Sequence, residues 1–162
     1  MAAAYYTAPN VKINKPILGL TCDGAGDGLC ATVSVCKNNN INRISYTDRH
    51  ASLGKIYSRI TMLLGMKPWE HEYKLMGLAP YADYEIAKIE AKKLHNLLKL
   101  NKKKLTFELN SNLSTNYCYY YLKEKFERVR FDNIAGAAQV FTEEMLVAWV
   151  KAAIKKTKIH DI

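Results

Sequence analysis

The stretch "PILGLTCDGAGDGLCATVSVC", residues 16–36, decides most of the fold. Its first part is a β-rich apolar run, and Leu29 to Cys36 alternates small or polar residues with apolar ones, so each flank predicts a strand. Between them, "LTCDGAGDG" (20–28) crowds Asp23, Gly24, Gly26, Asp27 and Gly28 into one loop. A tight hairpin turn needs one glycine. The remaining glycines and aspartates require a ligand or some other explanation. "KNNN" is a second turn and "INRISYT" alternates again. Residues of about 16–47 are therefore expected to form an antiparallel three-stranded meander, with Asp23 to Gly28 at the tip of its first hairpin and helices on one face.

Helical spacing takes over downstream, over about 52–157. Ser52 is an N-cap for "LGKIYSRITMLLG", in which Ile56, Ile60, Leu63 and Leu64 share a face and Gly65 ends the run. "EHEYKLMGLA" predicts a short helix stopped by Pro80, and Asp83 caps an amphipathic helix expected to reach about Leu100. "LTFEL" reads as a short strand and "SNLSTN" as a loop. "YCYYYLKEKFERVR" and "NIAGAAQVFTEEMLVAWVKAAIKKT" predict two more helices, the second striped by Ala137, Val140, Phe141, Met145, Ala148, Trp149 and Ala152. "KIHDI" after it resembles the approach to another strand, and "AAAYY" resembles the tail of a helix.

A chain of 162 residues suits one domain with a sizeable core. With 49% hydrophobic and 24% charged residues the balance is globular. No apolar run approaches a membrane span, and "MAAAYYTAPN" lacks the basic and apolar regions of a secretory signal, so a cytoplasmic protein is expected with no membrane partner. Cys22, Cys30, Cys36 and Cys118 form no C-x-x-C pair or zinc spacing, and they read as reduced thiols. The net charge of +9 admits a small basic nucleic-acid-binding module as an alternative. Much of the excess, however, lies in "KIEAKKLHNLLKLNKKK" (88–104), where leucines at helical spacing leave the lysines on a solvated face.

Backbone N–H groups can cradle phosphate oxygens where glycine removes the side chain and admits positive φ. Gly24, Gly26 and Gly28 have those properties, and Asp23 and Asp27 can supply oxygen to a divalent cation that neutralises phosphate. The alternative is a ligand-free hairpin whose aspartates bond their own turn. The loop has no G-K-[ST], leads to a strand and is not flanked by helices, which excludes a Walker A loop, a Rossmann fingerprint and an EF-hand.

Taken with "ASLGKIYSRITMLLGMKPWEHEYKLMGLAPY" (51–81), the loop resembles the O-carbamoyltransferase family of the nodulation-protein U and cephamycin or tobramycin carbamoyltransferase type. That family carries L-T-x-D-G-x-G-D-G, then S-L-G-x-x-Y with T-x-x-L-G, then E-G-K-x-M-G-L-A-P-Y-G. Matching residues are Leu20, Thr21, Asp23, Gly24, Gly26, Asp27 and Gly28; Ser52, Leu53, Gly54, Tyr57, Thr61, Leu64 and Gly65; and Glu72, Lys74 and Met76 to Tyr81. "AGAAQVFTEEML" is similar to the family's A-x-x-x-Q-x-x-x-E helix. Tyr73 and Ala82 stand where the family has glycine.

The resemblance implies an α/β chain, or an α+β fragment of one. It would be a single partial domain of the actin, sugar-kinase and Hsp70 type (ribonuclease H-like), within an ATP-dependent O-carbamoyltransferase. A C-terminal domain of the same parent chain makes carbamoyl adenylate from carbamoyl phosphate and ATP, and the first part moves the carbamoyl group to a hydroxyl acceptor. By this resemblance Asp23 binds a divalent metal, iron or similar, together with histidines expected upstream, and an adenosine-closing segment is expected after Ile162. Gly24, Gly26, Asp27, Gly28, Ser52, Gly54 and Lys74 are the nucleotide- or phosphate-binding candidates. No catalytic residue is assigned, and His50, His71, His95 and His160 receive no role. The chain alone is expected to be inactive and to bind no metal tightly.

Overall fold

The computed structural model describes residues 1–9, 11 and 14–162. Strands β1 (Ile17–Gly26), β2 (Leu29–Lys37) and β3 (Asn40–Asp48) pair antiparallel in the order β1-β2-β3, as the alternation predicts. Both connections are two-residue turns whose central residues have positive φ: Asp27 and Gly28 at 51° and 81°, Asn38 and Asn39 at 51° and 61°. These values twist with the strands, which is why Asp-Gly and Asn-Asn serve there.

Helix α1 (Ala2–Thr7) precedes the sheet and α2 (Leu53–Leu63), α3 (Glu72–Leu78), α4 (Tyr84–His95), α5 (Tyr119–Lys125) and α6 (Phe131–Thr157) follow it. The apolar face of the sheet, including Leu18 and Val33, joins Ile56 and Ile60 of α2, Leu94 of α4, Leu122 of α5 and Phe141 and Trp149 of α6 in one core. Helix α1 does not lie on that face. Met1 approaches Gly19 and Cys36, and the Tyr6 hydroxyl donates to the Asn39 carbonyl at 2.7 Å, so α1 covers the opposite face.

Two sequence expectations are corrected. Helix α4 ends at His95 instead of about Leu100, giving way to β4 (Leu98–Asn101), which pairs with β5 (Thr106–Leu109), the strand expected over "LTFEL"; and α1 covers the second face of the meander, where the sequence expects helices on one face only. Leu97, Leu98 and Phe107 are buried, and Leu105 closes the turn with φ 61° while its carbonyl accepts from the Trp149 indole at 2.9 Å. Tertiary burial thus overrides helical spacing in "NLLKLN". The basic run is consequently split between α4 and this hairpin, where Lys93 pairs with Glu90 and Lys104 with Glu108 at 3.6 Å.

Candidate functional site

The first hairpin contains more than a turn. Cys22 pairs with Ala31 and Gly26 with Leu29, so Asp23, Gly24 and Ala25 on β1 face the single residue Cys30 on β2. The chain bulges outward there, and the tip proper is only Asp27-Gly28. The bulge is the part of the loop that meets the rest of the protein.

It meets the start of α2. The Ser52 hydroxyl accepts from the Lys55 amide at 3.1 Å as the predicted N-cap and donates to the Asp23 carbonyl at 3.1 Å. Fully buried Ser52 is itself held by its amide, which donates to Thr115 Oγ1 at 3.0 Å, while that hydroxyl donates to the His50 carbonyl at 3.0 Å. A Cβ on Gly54 would lie 2.9 Å from the Asp23 carbonyl oxygen and 3.0 Å from the Gly24 nitrogen, both backbone atoms that cannot step aside cheaply. The S-L-G spacing therefore serves a close helix-to-bulge approach. At the other end of α2, Gly65 (φ 74°) and Met66 donate back to Met62 and Thr61 at 3.0 and 3.1 Å, the Schellman geometry that Gly65 predicts.

A cleft of about 400 Å3 opens beside this contact, lined by Asp23, Gly24, Ala25, Gly54, Lys55, Ser58, Trp69 and Glu72. Of the residues expected to bind phosphate or metal, Asp23, Gly24 and Gly54 are brought together here. Ser52 lies behind the wall, bonded to Asp23. Gly26, Asp27 and Gly28 continue to the exposed hairpin end, with Asp23 Oδ2 3.8 Å from where a Gly26 side chain would begin. Lys74 is exposed on α3 beside the Tyr73 ring, 5.8 Å from its centroid, and does not line the cleft. The Lys74–Glu70 pair that spacing allows gives way to Lys67–Glu70 at 2.5 Å.

Sequence reasoning missed Lys55, Ser58 and Trp69, and gave Glu72 no role. Lys55 Nζ lies 3.9 Å from the Trp69 ring centroid, and Glu72 Oε1 accepts from the Trp69 amide at 2.6 Å. Lys55 and Ser58 are visible only as a helical i, i+3 pair after Ser52, which share a face.

A metal tests the site more severely. Among the described residues no group of three or more His, Cys, Asp or Glu is placed to hold one. Asp23 offers one carboxylate, and these residues by themselves do not fit a divalent metal centre.

The other family-like motifs meet at a second cleft of about 410 Å3 between the α3–α4 segment and α6, lined by Met76, Pro80, Gly136, Gln139 and Glu143 among others. The Tyr57 hydroxyl donates to Gln139 Oε1 at 3.2 Å, and Gln139 Nε2 donates to Glu143 Oε1 at 2.7 Å. Burial, then the charges of Glu143 and Glu72, push the Tyr57 phenol up to about 12, so it remains a donor at neutral pH. Ala82, where a glycine is usual, is accommodated because residue 136 is glycine: a Cβ there would lie 2.5 Å from the Ala82 Cβ.

Comparison with known proteins identifies the family. The family described as carbamoyltransferase N-terminus matches residues 1–162. Two uncharacterized proteins of Methanocaldococcus jannaschii are similar to the chain. One is 43% identical over 67 residues, which cover 41% of this chain and 13% of that protein. The other is 30% identical over 179 residues, covering 99% of this chain and 28% of that protein. The chain thus matches well under two thirds of the length of either relative.

Proposed function

Since the chain belongs to the carbamoyltransferase N-terminal family, we propose that it is part of the transfer domain of an ATP-dependent O-carbamoyltransferase. In this reading the parent enzyme is cytoplasmic. It receives a carbamoyl group as carbamoyl adenylate, made from carbamoyl phosphate and ATP by a C-terminal domain of the same chain, and passes it to a hydroxyl acceptor. The domain is of the actin-like, ribonuclease H-like type, of which residues 1–162 are a part. One observation carries the reading: the Asp23–Ala25 bulge and the Gly54 start of α2, distant in sequence, form one cleft.

The chemistry follows from what the chain supplies there. Gly24 and Gly54 leave backbone uncovered, and the α2 N-terminus adds positive dipole, so phosphate oxygens of a carbamoyl donor find a favourable field. Gly26, Asp27 and Gly28 lead from that surface into the exposed turn and hold the bulge in register, and Lys74 acts as a more distant point charge. The phosphate is held and oriented while the acceptor oxygen attacks the carbamoyl carbon. Asp23 is proposed as one carboxylate ligand to a divalent metal whose remaining donors come from elsewhere, and no step is assigned to that metal. Carbamoyl transfer from supplied carbamoyl adenylate tests the proposal. The parent enzyme should be active, its Asp23→Ala variant impaired, and the 162-residue chain without turnover, since one lost oxyanion-type donor already costs about 3 kcal/mol. Activity in the chain alone, or an unimpaired Asp23→Ala parent, refutes it.

A further inference from the structure

We infer that Lys55, Ser58 and Trp69 form the anion-recognition wall of the cleft beside the Asp23 bulge, taking a phosphate group that arrives as its magnesium complex. This rests on the proposed phosphate role of the cleft and assigns it to side chains outside the family-like motifs.

Ser58 is only 5% exposed, and its hydroxyl has no hydrogen-bond partner among the described residues although it lines the cleft. Buried hydroxyls are almost always bonded. A helical Ser or Thr usually resolves this by bonding the carbonyl four residues back, as Thr61 does to Tyr57 at 3.1 Å. Ser58 makes no such bond, which leaves an unpartnered hydroxyl in the wall of the cleft.

Lys55 is available in the same sense. Its stem crosses Gly24, with Cε 3.8 Å from the point where a side chain would begin, and its ammonium rests on the Trp69 ring. It makes no ion pair among the described residues, although Asp23 and Glu72 line the same cleft. A cation–π contact at a partly wet site is weak enough to be exchanged for a phosphate oxygen. Trp69 is built for that exchange. It adopts φ 76°, unfavourable for a bulky residue, it is 68% exposed, and Glu72 holds its amide. Helix α2, 11 residues long, points its positive end to the same place. The two carboxylates narrow the ligand class, because Asp23 and Glu72 repel a bare anion, and a bound magnesium ion lowers that repulsion by cancelling two of its charges while accepting carboxylate oxygens.

The test is calorimetric titration of the 162-residue chain with MgADP, magnesium pyrophosphate and adenosine, alongside intrinsic fluorescence. Both phosphate ligands should bind. Lys55→Met should weaken them about tenfold or more, and Ser58→Ala severalfold, while Lys55→Arg retains binding. Trp69→Phe should still bind but lose the fluorescence change, since Trp149 is buried in the core. Tighter MgADP than pyrophosphate supports a nucleotide source, and equal binding supports phosphate alone. Wild-type binding unaltered in both Lys55→Met and Ser58→Ala overturns this wall and leaves the phosphate cleft standing. Adenosine binding as tightly as MgADP overturns the anion assignment. Binding of neither phosphate ligand by the wild type overturns the phosphate reading together with it.

Discussion

The two hairpins of the three-stranded sheet turn in the same way and do different things. Each uses two residues of positive φ, Asp27-Gly28 or Asn38-Asn39. Only the first is preceded by a stretch in which three residues of one strand face one of the other, and only that stretch reaches α2 and the cleft. The richness in glycine and aspartate of residues 20–28 therefore divides into two causes. Asp27 and Gly28 answer to the turn, whereas Asp23, Gly24 and Ala25 answer to the bulge. The asymmetry places the candidate chemistry several residues away from the tip.

The largest effect should come from closing the space between bulge and helix. Gly54→Ala puts a Cβ 2.9–3.0 Å from the backbone of Asp23 and Gly24, and backbone on both sides resists displacement. Overpacking of this kind costs about 1–3 kcal/mol, corresponding to a Tm lower by about 2–12 °C at this size. Thermal unfolding followed by circular dichroism measures it. A variant as stable as the wild type would mean that bulge and helix are free to separate, and the cleft would lose its definition.

Gly28→Ala tests the other cause. Left-handed backbone costs an L-residue about 1–2 kcal/mol, and the φ of 81° at Gly28 demands it, yet a Cβ there meets nothing within 4 Å. Stability should fall with cleft binding of MgADP preserved. Equal loss of binding and stability would return the ligand to the hairpin tip. Ser52→Ala should cost about 1 kcal/mol through the lost N-cap. It should also weaken MgADP binding, because the bond to the Asp23 carbonyl goes with it. Unchanged binding would detach Ser52 from the positioning of the bulge.

The meander and most helix ends are legible in the sequence, whereas the division of residues 20–28 into turn and bulge is not, and the reasons are physical. Period-two alternation and turn residues predict the meander because side chains on a pleated sheet report burial directly. Ser52, Gly65 and Asp83 mark helix ends through local hydrogen bonds that spacing exposes; Asp83 Oδ1 accepts from the amides of Glu85 and Ile86 at 3.0 and 3.1 Å. The end of α4 was illegible because "NLLKLN" satisfies helical and strand periods alike, and the choice was made by Trp149 and the sheet around Leu105. The glycines and aspartates of residues 23–28 mark the loop as unusual, but only the register against β2 assigns Asp23 and Gly24 to a bulge and not to the tip. Lys55 and Trp69 carry no local signal for their meeting. Each lies on a separate element, and their contact is a consequence of how α2 and the segment before α3 pack.

The smallest expected effect is the most discriminating between the hairpins. The double substitution Asn38→Asp, Asn39→Gly transplants the first turn onto the second. Its central φ values of 51° and 61° already lie where 51° and 81° serve the donor turn, so the new residues fit without strain. Asn39 and Gly are both tolerant of that region, and the site is exposed. Stability should therefore change by no more than about 0.5 kcal/mol, the range of surface substitutions. If phosphate recognition belongs to the bulge, the transplanted Asp-Gly turn gains nothing: titration with MgADP should give the wild-type stoichiometry and affinity. If recognition belongs instead to an Asp-Gly tip with exposed amides, the second hairpin acquires it, and a second binding event appears. The two outcomes differ in stoichiometry and not merely in affinity. The comparison can thus be decided even where the individual binding constants are weak.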